Sequence, residues 1–220
     1  MSLKSRVIAA LGTVYDPELD EPITALRFVA SCEVADSGAV DVRLRLPTPQ
    51  CAPNFAYLMA ADARDAVLGV PGVSAVTVVL EDHYTGAEIN AAVGRGGGFA
   101  DAFPGETAGD LGALRELFRR KALVARQSRL LAAVPDPVSA RLGELSGPDA
   151  DRCRELRREL GIGASDDAPA FVLGDGTPVR AEQVTRFTRM AALTAVSLDA
   201  NGGVCRSLLQ VRYGIEEVAA

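Results

Sequence analysis

The 220-residue chain has no tryptophan, one histidine and three methionines, and only two of its 23 basic residues, Lys4 and Lys121, are lysines. With His83 as the sole imidazole, no G-x-S-x-G motif and no recognisable partner to orient a Cys51–His83 pair, classical hydrolysis is weakly supported. The four cysteines, Cys32, Cys51, Cys153 and Cys205, form no C-x-x-C pair, which excludes a zinc ribbon or a redox dithiol read from spacing. They are expected as reduced thiols in a cytoplasmic protein. Apolar runs of the roughly 18 residues needed for a membrane span are absent, and the longest early run, Val7 to Val14, is broken by Gly12. A signal peptide is not expected either.

Charge of one sign is also scarce where nucleic acid would need it. The net charge is -6, residues 1–92 carrying 6 basic and 12 acidic side chains against 17 of each beyond, so nucleic acid is not expected as a partner. The excess of arginine over lysine reflects a GC-rich genome rather than guanidinium chemistry. What is present, 48% apolar and 24% charged residues with 21 glycines and 12 prolines, is an ordinary globular composition.

Helical spacing of Val7, Ile8, Leu11 and Val14 predicts a short amphipathic helix ending before Asp16-Pro17. Phe28 to Val34 and the alternating Val40 to Leu46, separated by Ala35-Asp36-Ser37-Gly38, predict a hairpin. Pro47-Thr48-Pro49-Gln50-Cys51-Ala52-Pro53 cannot continue a ladder, and Pro53 suits the first turn of a helix reaching Gly69. With Ser74 to Leu80 as the next strand, the pattern is a βαβ unit with parallel outer strands. The fold class is α+β: a small sandwich of helix, hairpin and βαβ unit over 1–92, a Gly-rich linker over 93–109, and a mainly helical domain over 110–220. In that second domain helices are predicted from Leu111 to Leu131, near Asp149 to Leu160 and from Ala181 to about Ser197, with a small hairpin across Phe171–Leu173 and Pro178–Arg180. The last 20 residues read equally as strand or helix.

Cys51 is the most informative position, because a loop thiol just before a helix sits where free N–H groups and the dipole favour an anion. Such a thiolate suits a metal ligand or a nucleophile, against the plain alternative of a buried cysteine. His83 follows the neighbouring parallel strand at the same edge, with Glu81 and Asp82 beside it, and is either a second ligand or an ordinary surface histidine. Asp16 reads as the cap of a turn that includes Pro17 and Glu18. Gly94-Arg95-Gly96-Gly97-Gly98 has neither the preceding strand of a dinucleotide loop nor a Walker Lys-Ser/Thr ending. Cys32 shares a strand face with Phe28, Ala30 and Val34 and is expected in the core, and Cys153 and Cys205 are expected to be structural. The basic helix bearing Arg115, Arg119, Arg120, Lys121, Arg126 and Arg129 reads as a solvated face.

The order Asp16-Pro17-Glu18-Leu19, hairpin, Thr48-Pro49-Gln50-Cys51-Ala52-Pro53, helix, Pro71-Gly72-Val73 and strand resembles the SufT/PaaD-like iron-sulfur cluster assembly family over about residues 4–90. The resemblance implies a bacterial, non-enzymatic factor that matures iron-sulfur proteins, with Cys51 as its functional residue and Asp16 on the loop packing near it. Asp82-His83-Tyr84 and Gly86 stand where many relatives have a stretch with proline and tryptophan, so the surface facing a client differs. Further expectations follow: Cys51 and His83 at a metal or cluster site, Asp16, Glu18 and Thr48 in the functional loops, and a transient iron-sulfur cluster or iron as cargo. The partners expected are a client metalloenzyme, of which a multicomponent oxygenase is one kind, the assembly machinery and a second copy of the chain, whose thiolate would help complete a site that one cysteine cannot fill. A metal-free protein–protein adaptor is the alternative reading, and a thiol enzyme using Cys51 and His83 ranks third, behind both.

Overall fold

Ser2 starts the first helix, α1 (Leu3–Leu11), its hydroxyl accepting the Ser5 N–H at 3.1 Å and so satisfying one of the free donors of the first turn. The computed structural model describes residues 1–106 and 111–214. Val7 and Leu11, one turn apart, are fully buried, and Val14 enters the core after the helix has ended. Two short strands, β1 (Tyr15–Asp16) and β2 (Glu21–Pro22), pair antiparallel with Asp16 opposite Glu21.

The main sheet has three strands in the order β3 (Val29–Val34), β4 (Ala39–Arg45), β5 (Ala75–Glu81). β3 and β4 form the expected hairpin, and β5 lies parallel to β4 across the helix α2 (Pro53–Leu68), the expected βαβ unit. Registration puts Cys32, Val42 and Val78 in one row and Leu44 beside Leu80, all buried, while Asp41, Arg43 and Glu81 alternate onto the other face. That other face carries ion pairs from Arg43 to Glu81 at 3.1 Å and to Asp41 at 3.4 Å. Helices α1, α2 and α3 (Gly86–Gly94) supply the second layer, α2 and α3 packing on β5 and α1 on β3. Asn90 of α3 clasps Leu80, accepting its N–H at 2.8 Å and donating to its carbonyl at 3.0 Å. Gly38 has φ +83°, and a Cβ there would lie 2.4 Å from the Gly72 carbonyl, so only glycine lets the hairpin turn approach the turn before β5.

The glycine-rich stretch expected as a linker carries structure. α3 runs to Gly94, α4 (Phe99–Ala102) follows, and Ala102 and Phe103 are buried in the same core. Its aromatic residues explain this: Tyr57 meets Phe99 edge to face at 5.5 Å, Phe99 meets Phe103 at 4.8 Å, and the Tyr57 hydroxyl donates to the Gly97 carbonyl at 2.8 Å. Residues 107–109 of that stretch lie outside the described residues.

The chain divides into two compact units, the first comprising residues up to Gly112 together with those from Gly202 on, the second Ala113–Asn201. The second unit is built from α5 (Gly112–Leu131), α6 (Pro148–Glu159) and the earlier part of α7 (Val184–Tyr213) around Leu123, Leu142, Leu156 and Phe171. α7 extends well past Ser197, which makes the ambiguous end of the chain helical as far as Tyr213. The expected small hairpin is a single antiparallel bridge between Val172 and Pro178. Buried Gln127 accepts the Val172 N–H at 2.7 Å and donates to its carbonyl at 3.0 Å. Arg157, fully buried, donates to the carbonyls of Pro169 at 2.8 Å and Ala170 at 2.6 Å, and burial lowers its pKa. The basic face of α5 is paired within its own unit: Arg119 with Glu159 at 2.7 Å, Arg126 and Arg129 with Asp149 at 2.8 and 3.3 Å. No helix among the described residues is long and apolar enough to cross a membrane.

Candidate functional site

Parallel pairing fixes the site. Arg45 and Glu81 are partners at the ends of β4 and β5, so the chain leaves both strands at the same edge. After β4 the prolines bar further pairing and the loop 47–52 turns directly into α2, whose N-cap residue, Ala52, offers no capping side chain. Cys51 lies in this loop, half-buried against the first unit's core, and its thiol is hydrogen-bonded to the Thr48 hydroxyl at 3.5 Å.

After β5, Asp82 takes a positive φ of 51°, a conformation aspartate tolerates better than most residues, and the chain reverses there. His83 is thereby turned onto the loop, where its Nε2 donates to the Cys51 carbonyl at 2.7 Å. A carbonyl only accepts, so Nε2 carries the proton and Nδ1 accepts from the Thr85 N–H at 3.3 Å and the Thr85 hydroxyl at 3.1 Å. The Tyr84 N–H donates to the Pro49 carbonyl at 3.1 Å, a second tie between the two loops. The expected meeting of Cys51 and His83 thus occurs, through the backbone of the cysteine, with both imidazole nitrogens engaged inside the protein.

Asp16 caps its own turn, Oδ1 accepting the N–H groups of Glu18 at 2.8 Å and Leu19 at 2.9 Å. It is buried, and desolvation pushes its carboxyl up to about 6 against the lowering effect of those two hydrogen bonds, with Glu18 and Glu21 adding repulsion.

A further thiol packs against the first unit from the far end of the chain. Cys205, on the last part of α7, is half-buried against the same core as Cys51. Its thiol is pushed up to about 11, first by burial and then by the negative charge of Asp16, Cys51 and Glu18, with Arg206 opposing. Cys205 thus shares the first unit's core with Cys51, whereas Cys153 and Cys32 are buried in the cores, as expected of them. The only advance signal for Cys205 is its i, i+4 spacing from Leu209, which marks a helix face without saying what that face meets. Among the described residues no group of three or more His, Cys, Asp or Glu side chains could hold a metal ion. What the described residues of one chain offer at this edge is a single half-buried loop thiol.

Comparison with known proteins finds matches to the N-terminal region. Residues 4–78 match the profile of a family described as iron-sulfur cluster assembly protein. An uncharacterized protein of Methanocaldococcus jannaschii is 36% identical over 90 residues, 41% of this chain and 93% of that protein. The iron-sulfur cluster carrier protein of Mycobacterium tuberculosis is 40% identical and that of Mycobacterium leprae 38% identical, each over 79 residues, 36% of this chain but only 20% of the carrier. The chain thus spans about a fifth of the length of these carriers. No solved structure matches the chain significantly. Through its N-terminal region, the part that builds the Cys51 loop, the chain belongs to the iron-sulfur cluster assembly protein family.

Proposed function

We propose that this protein is a non-enzymatic maturation factor that takes up an iron-sulfur cluster or iron through Cys51 and passes it to a client metalloenzyme. The observation that carries this reading is a half-buried thiol in a three-proline loop, fixed by His83 and Tyr84 from the neighbouring strand, within the region that matches the assembly family. Fixing the loop through its backbone leaves the sulfur with a long contact to the Thr48 hydroxyl, one that cargo can displace. Cys51 is the ligand, His83 and Thr48 hold and flank it, and Asp16 and Glu18 form the adjoining turn. An iron-sulfur cluster commonly takes four thiolates, so a single chain holds cargo only with help from a second copy, a client cysteine or a small thiol. Such shared ligation suits a carrier, which has to let go. A cytoplasmic setting accords with four free cysteines.

The test is anaerobic reconstitution of wild type and Cys51→Ser with ferrous iron and sulfide, reading iron and sulfide content, visible absorbance and oligomeric mass on the same samples. Cluster uptake by wild type and its loss in Cys51→Ser are expected, with both proteins equally folded by circular dichroism. Uptake by neither protein removes the carrier reading. In that case the metal-free adaptor takes first place, a reading favoured by the exposed apolar side chains of α7, among them Leu193, Val196 and Val211.

A further inference from the structure

α7 is one unbroken helix, so which of its side chains share a face follows from 3.6 residues per turn. Phe187, Ala191, Ala195, Gly202 and Leu209, all buried, fall on one face. Towards its end the helix is pinned to the first unit by two arginines, Arg206 donating to Glu21 at 2.8 Å and Arg212 to the Asp82 carbonyl at 3.1 Å. Opposite the buried face runs a second apolar row that stays at the surface. Met190, Leu193, Val196, Val204, Leu208 and Val211 are each at least 41% exposed, Val211 as much as 86%. Single exposed apolar residues are ordinary, but six in one row over about 32 Å of helix form a patch that calls for a partner.

Between Met190 and Val211 the only charged residues are Asp199 and Arg206. Both lie off the row and are paired, Asp199 with Arg129 at 2.5 Å and Arg206 with Glu21. A charged partner finds no free counter-charge along this stretch, and the row lacks the lysine and arginine flanks that hold a helix on a lipid surface. The row also reads the same from both ends. Met190 and Val211, Leu193 and Leu208, and Val196 and Val204 are pairs whose midpoints fall at Ala200 or between it and Asn201. Two copies of the helix laid antiparallel therefore set leucine against leucine and valine against valine. Exposed Ala200 then lies at the two-fold axis, where a small side chain lets the helices approach. A partner of another sequence imposes no such symmetry. The six side chains expose roughly 600 Å² on each copy, so a pair buries on the order of 1,200 Å², the lower end of a stable specific interface.

We propose that this row of α7 is a homodimerisation surface, on which two copies of the chain pack α7 against α7, antiparallel about Ala200. The inference stands apart from the carrier reading and identifies where the second copy invoked there attaches. A monomeric protein leaves cargo to be completed by a client cysteine or a small thiol, whereas failed reconstitution leaves the dimer untouched.

Full-length wild type, Leu193→Lys, Leu208→Glu, the double variant and, as control, Leu117→Lys, at an exposed apolar position of α5, are compared by sedimentation equilibrium at micromolar concentrations. Circular dichroism checks that helix content is equal. Wild type and the control are expected to be dimers. Each single row variant is expected to weaken the dimer about 100-fold or more, because it buries an unpaired charge. The double variant sets each new ammonium against a new carboxylate of the other copy and is expected to recover to within about tenfold of wild type. A monomeric wild type overturns the inference and returns the row to the adaptor reading, or to a lipid surface if that monomer floats with phosphatidylglycerol vesicles and Leu193→Lys does not. A dimer that survives both single substitutions places the interface elsewhere and overturns it too. A double variant as monomeric as the single ones overturns the antiparallel pairing.

Discussion

The two units solve the same problem, burying backbone without leaving its polar groups unpaired, by different means. In the first, the ladder among β3, β4 and β5 pairs most strand amides, and the Asn90 side chain completes Leu80 next to the sheet's β5 edge. In the second, the two isolated bridges leave much irregular chain, and side chains do the pairing: Gln127 for Val172, Arg157 for Pro169 and Ala170, Arg154 for the carbonyls of Leu142 at 2.8 Å and Leu145 at 2.7 Å. A ladder is distributed and tolerates the loss of one side chain, whereas a buried guanidinium serving several carbonyls is a single point of failure.

Substitutions that remove one contributor from each unit sharpen the contrast. Arg157→Met is expected to have the largest effect, about 3 kcal/mol or more of lost stability, since it strands buried carbonyls. Hydrogen exchange is the measurement, and the loss of protection should concentrate between residues 113 and 201. Uniform loosening of both units would break the comparison. In the first unit Leu44→Ala, at the centre of the sheet, is expected to cost roughly 3 kcal/mol by leaving a cavity, seen as a lowered denaturant midpoint with the slope retained.

A pH-dependent effect of similar or smaller size belongs to Asp16. Its folded pKa of about 6 lies above the ordinary 3.8, so between those values the folded state keeps a proton that the unfolded state has released. Stability from this group is therefore fullest below about pH 4 and falls as pH rises to about 6, by on the order of 2 to 3 kcal/mol. Asp16→Asn retains the Oδ1 acceptor for Glu18 and Leu19 and should flatten that fall, raising the melting temperature at pH 7.5. Superimposable stability curves for the two proteins between pH 4 and 6 would assign the titration elsewhere. The smallest effects expected are those of the two amide clasps, Gln127→Leu and Asn90→Leu, each about 1 to 2 kcal/mol. Gln127→Leu should be the costlier, because its amide lies wholly inside the protein. Equal thermal denaturation shifts would blunt the contrast between the units.

Most of the first unit was legible in the sequence because its signals are periodic. Alternation along Val40 to Leu46, prolines on either side of Cys51 and the paired apolar residues of α1 each follow from local rules. The glycine-rich stretch read as a linker because glycine count overshadowed Phe99 and Phe103, whose burial against Tyr57 is a long-range event. The site was half legible: the shared strand edge predicted that Cys51 and His83 would meet, though not that they would meet through a carbonyl. Cys205 was illegible. It lies 154 positions beyond Cys51 and packs on the same core only because Arg206, Leu209 and Arg212 find partners in the first unit, a fact of tertiary structure that helix periodicity does not carry.

That discontinuity bears on how the molecule is made. Ribosomes deliver the Cys51 loop first and the part of α7 that packs on the same core only after all of the second unit has been synthesised. A nascent chain therefore carries the first unit's sheet and helices before it carries their α7 partners, and the first unit acquires Leu209 and the two arginine pins only after residues 113–201 have been made. Vectorial synthesis thus separates two forms of the same domain in time, one before and one after α7 docks on its core.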